Sequence, residues 1–237
     1  MISVAVKDVD KRFGSILALN KVTFTVYHGE IFGLIGPPRA GKTTALKILG
    51  GTMCPDLGSV ETLGFEPSAD SVRLTDLVGL KLHPAHLEPK LAVCELLEEA
   101  ASTYHKPLGL KWLKQSFYLT DFLEKSGNQL NRCEQNRLAL ALAFINDPKL
   151  ILLDEPEKEI TSHFQEHVLR LIVKARNWGS TVILTSENPE LTCRFCHRIA
   201  ILEKGQIKAI GSPKHLLSQY FPNFSYLTNG GLAGIGG

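Results

Sequence analysis

Gly36-Pro37-Pro38-Arg39-Ala40-Gly41-Lys42-Thr43 decides the reading of this 237-residue chain. The string fits Gly-x-x-x-x-Gly-Lys-Ser/Thr, a loop whose backbone N–H groups wrap phosphate oxygens while its lysine reaches the terminal phosphates. Ile31–Ile35 before it reads as a strand, and Thr43–Leu49 after it reads as a helix ending at Gly50-Gly51. A helix N-terminus at that point favours an anion. Nucleotide binding is therefore the leading expectation, with Gly36, Arg39, Ala40, Gly41, Lys42, Thr43 and Thr44 around the phosphates. The Thr43 hydroxyl is the expected ligand of Mg²⁺.

A second motif, Leu150-Ile151-Leu152-Leu153-Asp154-Glu155-Pro156, sets its aspartate 112 residues beyond Lys42. An apolar strand ending in two carboxylates places them at the sheet edge where ligands bind. Paired with the phosphate loop, Asp154 is the expected Mg²⁺ carboxylate, and Glu155 the group that could polarise an attacking water.

Working outward, short β-branched stretches at Ile2–Val9, Val22–Val26, Thr181–Thr185 and Ile199–Leu202 also read as strands. Leu91–Tyr104, Lys111–Leu119, Glu134–Ile145 and Phe164–Trp178 read as helices. Strands alternating with helices imply a mostly parallel, covered sheet of α/β class. Between about residues 84 and 135 no strand is convincing, so a helical subdomain is expected to interrupt the sheet. Residues 1–220 then form one domain, and 221–237 a glycine-rich, frayed tail.

Composition excludes several classes. The 26 Lys+Arg against 24 Asp+Glu leave a net charge of +2, too balanced for a protein that holds nucleic acid by neutralising phosphates. The longest apolar runs fall far short of the roughly 20 residues that a membrane-spanning helix needs. The N-terminus lacks the pattern of a secretory signal, so a cytosolic location with reduced thiols is expected for the five cysteines. Cys193-Arg-Phe-Cys196-His197 matches a haem-attachment string, but it has neither an export route nor a second ligand pair. Packing near a helix end is the expected role of its thiols.

In the order of these motifs the chain resembles the ATP-binding cassette (ABC) family of transporter nucleotide-binding subunits. Further points of likeness are Lys11-Arg-Phe13-Gly ahead of the loop, Arg137-Leu-Ala-Leu-Ala-Leu-Ala before Asp147-Pro148-Lys149, and Thr181-Val-Ile-Leu-Thr-Ser. The resemblance implies a phosphate-loop core with an antiparallel β subdomain at the N-terminus, ATP and Mg²⁺ as ligands, and a place beneath an integral membrane subunit on the cytoplasmic face. It implies a second cassette as well, either an intact one in a heterodimer or a copy of this chain. Phe13 would then stack on adenine; its other reading is a core phenylalanine.

The likeness also exposes departures. Leu130-Asn131-Arg132-Cys133-Glu134 stands where the family has Leu-Ser-Gly-Gly-Gln, the segment that grips ATP held by the opposite subunit. Two glycines that allow close backbone approach are lost, and Glu134 adds negative charge beside an anion site. Glu187 aligns with a histidine that contacts the terminal phosphate. A carboxylate there repels that phosphate unless it is protonated or bridged by a cation. His83 aligns with a glutamine and Thr161 with an aspartate, while Pro38 removes an N–H from the loop and Arg39 replaces a frequent glycine. The expected function is thus an exporter-like nucleotide-binding subunit with weak or partner-dependent hydrolysis. The alternative is an inactive cassette in a structural or regulatory role.

Overall fold

The structure is a computed structural model describing residues 1–82 and 88–220. His83, the expected start of the helical insertion at residue 84 and the glycine-rich segment 221–237 lie outside the described residues. In chain order the elements are β1 (Ile2–Phe13), β2 (Ile16–Tyr27), β3 (Ile31–Ile35), α1 (Lys42–Leu49), β4 (Leu57–Thr62), α2 (Ser71–Thr75), β5 (Val78–Lys81), α3 (Val93–Ser102) and α4 (Leu110–Ser116). There follow α5 (Arg132–Phe144), β6 (Leu150–Asp154), α6 (Ser162–Asn177), β7 (Thr181–Ser186), α7 (Pro189–Phe195), β8 (Arg198–Glu203), β9 (Gln206–Gly211) and α8 (Pro213–Tyr220).

Two sheets organise the chain. The larger runs β5-β6-β7-β3-β8-β9, parallel through β8 and antiparallel at β9. The smaller, β2-β1-β4, is antiparallel throughout. The expected α/β class and N-terminal antiparallel sheet are both present.

Strands β3, β6 and β7 are buried at every position, which is why they read as unbroken apolar runs. Their side chains alternate between two cores with the period of a strand. Ile31, Ile35, Ile151, Leu153, Val182 and Leu184 join the core under α3 to α8. Phe32, Leu34, Leu150, Leu152 and Ile183 join the core shared with α1 and the small sheet. Phe24 of β2 stacks on Phe32 of β3 with ring centroids 5.5 Å apart, binding one sheet to the other.

β4, β5, β9, α2, α7 and α8 were not expected from the sequence. β4 and β9 lie at sheet edges with most residues partly or fully exposed, so their alternation is diluted by polar side chains. β5 is four residues long and carries Gly79 and Lys81. Gly79 is required there by close approach: a Cβ would run into the carbonyl oxygen of Ala143 on α5.

Parallel order also fixes the site. Ile35 aligns with Ser186, and Asp154 with Thr185, so β3, β6 and β7 release their chain ends at one edge. Lys81 of β5 lies there too, opposite Leu153. Among the described residues no helix is long and apolar enough to cross a membrane.

Candidate nucleotide site

Residues 36–41 leave β3 and turn into α1 at that edge. Gly41 is the N-cap, with φ 106°, and a Cβ there would strike the carbonyl oxygen of Ala18. No side chain caps α1, so its first N–H groups are left for an anion. Arg39 also adopts a left-handed backbone, φ 64°, and is exposed together with Pro37 and Pro38. Neither proline can donate an N–H, so this part of the loop offers no backbone donor.

Lys42 is 5% exposed and folds back over this loop. Its ammonium donates to the carbonyl oxygens of Gly36 at 2.7 Å and Pro37 at 3.0 Å. Beside it the Thr43 hydroxyl donates to Asp154 Oδ2 at 2.7 Å, and Thr185 Oγ1 donates to Asp154 Oδ1 at 2.6 Å. Thr185 Oγ1 also accepts the backbone N–H of Glu155 at 3.0 Å.

A hydroxyl and a carboxylate in contact are hard oxygen donors, too few to cage a cation alone. They suit Mg²⁺, which completes its shell with phosphate oxygens and water. Among the described residues no group of three or more His, Cys, Asp and Glu could hold a metal by itself. The pair Thr43 and Asp154 therefore fits Mg²⁺ arriving with a nucleotide.

Glu155, 8% exposed at a left-handed backbone position, meets Lys158 Nζ at 2.6 Å and Lys42 Nζ at 3.8 Å. Glu187, which follows β7, lies 3.4 Å from Lys42 Nζ and 3.3 Å from Lys158 Nζ. Burial pushes the Glu187 carboxyl up, but Lys42 and then Lys158 outweigh it and hold its pKa below the usual range. Burial likewise works against the Lys158 charge, and Glu155 and Glu187 more than offset it, lifting its pKa. Glu187 is therefore ionised and bridged by cations, one of the two ways its repulsion of phosphate can be relieved.

Lys81 underlies these groups, 1% exposed, donating to the carbonyl oxygens of Asp154 at 2.8 Å and Glu155 at 3.3 Å. Its burial drops its pKa to about 8. Nearby, Glu157 is buried with its pKa raised by desolvation, and Ser186 Oγ hydrogen-bonds its Oε1. Neither Lys81 nor Lys158 stood out in the sequence, because no motif carries them, and Thr185 entered only as part of the Thr181–Ser186 strand with no role of its own. Lys158 and Glu157 could have drawn notice only as charges within three residues of the Asp-Glu-Pro.

The segment Leu130–Glu134 is brought to the same turn by another route. Asn131 is the N-cap of α5: its Oδ1 accepts the Glu134 N–H at 2.9 Å, and Glu134 Oε2 accepts the Asn131 N–H at 2.9 Å. This reciprocal capping box occupies the end of α5 with the chain's own side chains. Glu134 also accepts from Lys125 at 2.7 Å. Burial would raise its pKa, but Lys125 and the Asn131 N–H hold it below the usual carboxylate range. Arg132 reaches Glu159 at 2.9 Å, and the Asn136 amide donates to the Lys158 carbonyl oxygen, so α5 is tied to the turn after β6. Cys133 is half-buried with a free thiol.

Thr161 serves as the N-cap of α6, accepting the Phe164 N–H at 3.4 Å. Phe13 ends β1 opposite Ile16, 46% exposed, with the Lys11 ammonium 5.9 Å from its ring. That placement discards the core reading and leaves the ring open to a ligand. Cys196 is buried at the C-terminal end of α7 against Gly33, and desolvation pushes its thiol pKa up. His197 Nδ1 accepts the Ile31 N–H at 3.1 Å, which commits that nitrogen to β3.

The ABC transporter family description matches residues 19–158. The chain is 30% identical over 228 residues to Nod factor export ATP-binding protein I of Rhizobium etli, covering 92% of this chain and 71% of that protein. It is 32% identical over 229 residues to ABC transporter G family member 23 of Dictyostelium discoideum, covering 92% of this chain but 32% of that relative. A solved ATP-binding subunit of an ABC transporter superposes with a TM-score of 0.83 over 92% of both chains, at 24% identity. A dimeric ATP-binding cassette in a post-hydrolysis state with ADP and Pi superposes with a TM-score of 0.80, at 25% identity, over 89% of this chain and 98% of that one.

Proposed function

Since the chain belongs to the ABC transporter family, we propose that it binds Mg-ATP and couples that binding to an integral membrane transporter subunit at the cytoplasmic face. One observation carries the reading. Lys42, the Thr43–Asp154 pair and Glu155 converge at the carboxyl edge of β3 and β6, beside an uncapped helix N-terminus. Bound Mg²⁺ would supply neutralisation of phosphate charge, with Thr43 and Asp154 holding it.

The remaining roles follow from this chain's side chains. Lys42 is already poised over the loop and exchanges the Gly36 and Pro37 carbonyl oxygens for phosphate oxygens. Gly41, Lys42, Thr43 and Thr44 offer backbone N–H groups, and the exposed Phe13 ring offers a face for the adenine. Glu155 is the candidate to orient water, and it does so only when Lys158 leaves its carboxylate. Hydrolysis is accordingly weak or dependent on a partner.

The end of α5 favours asymmetric assembly. Its Asn131–Glu134 box uses two donors that would otherwise face phosphate, so an opposite cassette's ATP finds this helix end partly occupied. An intact second cassette could still close over ATP held by Gly36–Thr43. The same capping box also supports a second reading, a catalytically inactive cassette with a structural or regulatory role.

Equilibrium titration with Mg-ATP tests the binding site. Lys42→Ala should weaken binding by about tenfold or more, the scale of losing a charge-assisted hydrogen bond. Equal affinity in parent and variant would remove the loop from the argument.

A further inference from the structure

Four side chains close a ring at the phosphate end of the site. Lys42 faces Glu187 at 3.4 Å and Glu155 at 3.8 Å, and Lys158 faces Glu155 at 2.6 Å and Glu187 at 3.3 Å. Each carboxylate bridges both ammonium groups, one through each oxygen. Lys42 is the side chain that reaches terminal phosphates in a loop of this type. Lys158 stands one carboxylate away from it.

We propose that Lys158 contacts the terminal phosphate of bound ATP, supplying from the turn after β6 the contact that the family's histidine supplies after β7, and that Glu187 holds it in place. The proposal rests on the reading of Gly36–Thr43 as an ATP site.

Geometry separates this from an ordinary surface lysine. A solvated lysine on a turn would make one exposed pair of little consequence. Lys158 instead joins the two carboxylates that face Lys42, with 38% of its side chain exposed. Its backbone is anchored on both sides: the N–H donates to the Glu155 carbonyl oxygen at 3.1 Å, and the carbonyl oxygen accepts from Asn136. The ammonium remains on a flexible four-carbon stem, able to turn from carboxylate to phosphate oxygens.

The same ring accounts for a glutamate at position 187. Alone it would oppose the phosphate, but here its second oxygen is the partner that keeps Lys158 near Lys42. Phosphate oxygens presented to Lys42 compete with Glu187 and Glu155 for the same two ammonium groups. Lys158 should therefore sense the terminal phosphate more than the rest of the nucleotide.

Calorimetric titrations with Mg-ATP and Mg-ADP test this on the full chain, using the parent, Lys158→Met, Lys158→Met with Glu187→Gln, and Lys42→Ala. Lys158→Met should lose about tenfold or more in ATP affinity while ADP affinity stays within about twofold. ADP binding also reports that the variant is folded. The double variant should remain weak for ATP. Equal losses for ATP and ADP, or no loss for either, would overturn the proposal. Recovery of ATP affinity in the double variant would overturn it too, since Lys158 would then only neutralise Glu187. If Lys42→Ala binds both nucleotides as the parent does, the ATP site itself is wrong. A normal dependence on Lys42 with an unchanged ATP-to-ADP ratio in Lys158→Met sinks this proposal alone.

Discussion

The Thr185 hydroxyl donates to Asp154 at 2.6 Å and, through the same oxygen, accepts the backbone N–H that follows Asp154 in the chain. One side chain of β7 thus fixes both the carboxylate expected to hold Mg²⁺ and the backbone of Glu155. Thr185→Val keeps the shape and removes both hydrogen bonds in a fully buried place. Chemical denaturation should show a loss of about 1–3 kcal/mol, the penalty for buried groups left unpaired. Mg-ATP should bind more weakly as well. A variant with parental stability and affinity would show that the strand ends alone hold the site.

Turnover by the isolated chain should be slow. A self-dimer would set each phosphate loop against an α5 whose end is occupied by its own capping box. Phosphate release should fall well below about 1 s⁻¹, the low end of ordinary enzyme rates. Rates at or above that level, abolished by Glu155→Gln, would contradict the capped helix end as an impediment.

The cap of α5 gives a stability test with a pH signature. Asn131→Ala should cost about 1 kcal/mol, the usual worth of an N-cap side chain, and lower the melting temperature by about 2–4 °C for a chain of this size. Glu134 has a folded pKa below its unfolded value, so its contribution is present above the unfolded pKa. It is lost as pH falls through the folded one. The stability difference between the parent and Glu134→Gln should therefore shrink on acidification below about pH 4.3, the ordinary glutamate value. A difference that stays constant with pH would assign the effect to shape rather than charge.

Gly79→Ala should disturb more than its one methyl suggests. The new Cβ meets a backbone carbonyl oxygen of α5, which cannot rotate away as a side chain can. Overpacking of this kind costs about 1–3 kcal/mol, measurable as a lower urea midpoint. An unchanged midpoint would mean that α5 slides over β5 freely.

Much of this architecture was legible, for physical reasons that differ by element. Strands β3, β6 and β7 announced themselves because burial on both faces demands apolar residues at every position. β9 did not, because one edge is unpaired and none of its residues is buried, so no apolar face is demanded of it. Within the site, Lys42, Thr43, Asp154 and Glu155 could be named because the loop and the strand end have fixed spacing. The roles of Lys81 and Thr185 could not, because their partners lie 73 and 31 residues away and only the parallel register brings those chain ends together. Lys158 pairs with a neighbour three residues away, but a lone lysine on a turn carries no signal of its own. Glu187 was visible as a substitution, yet its meaning depended on a lysine that no motif marks.

The ring around Lys42 also governs how a nucleotide is captured. Its two ammonium groups and two carboxylates sum to no net charge, so at a distance the ring offers an approaching polyanion little pull. Attraction appears only at contact, after pairs within the ring have parted. Association should consequently be limited by that parting rather than by diffusion, and its rate should respond weakly to added salt.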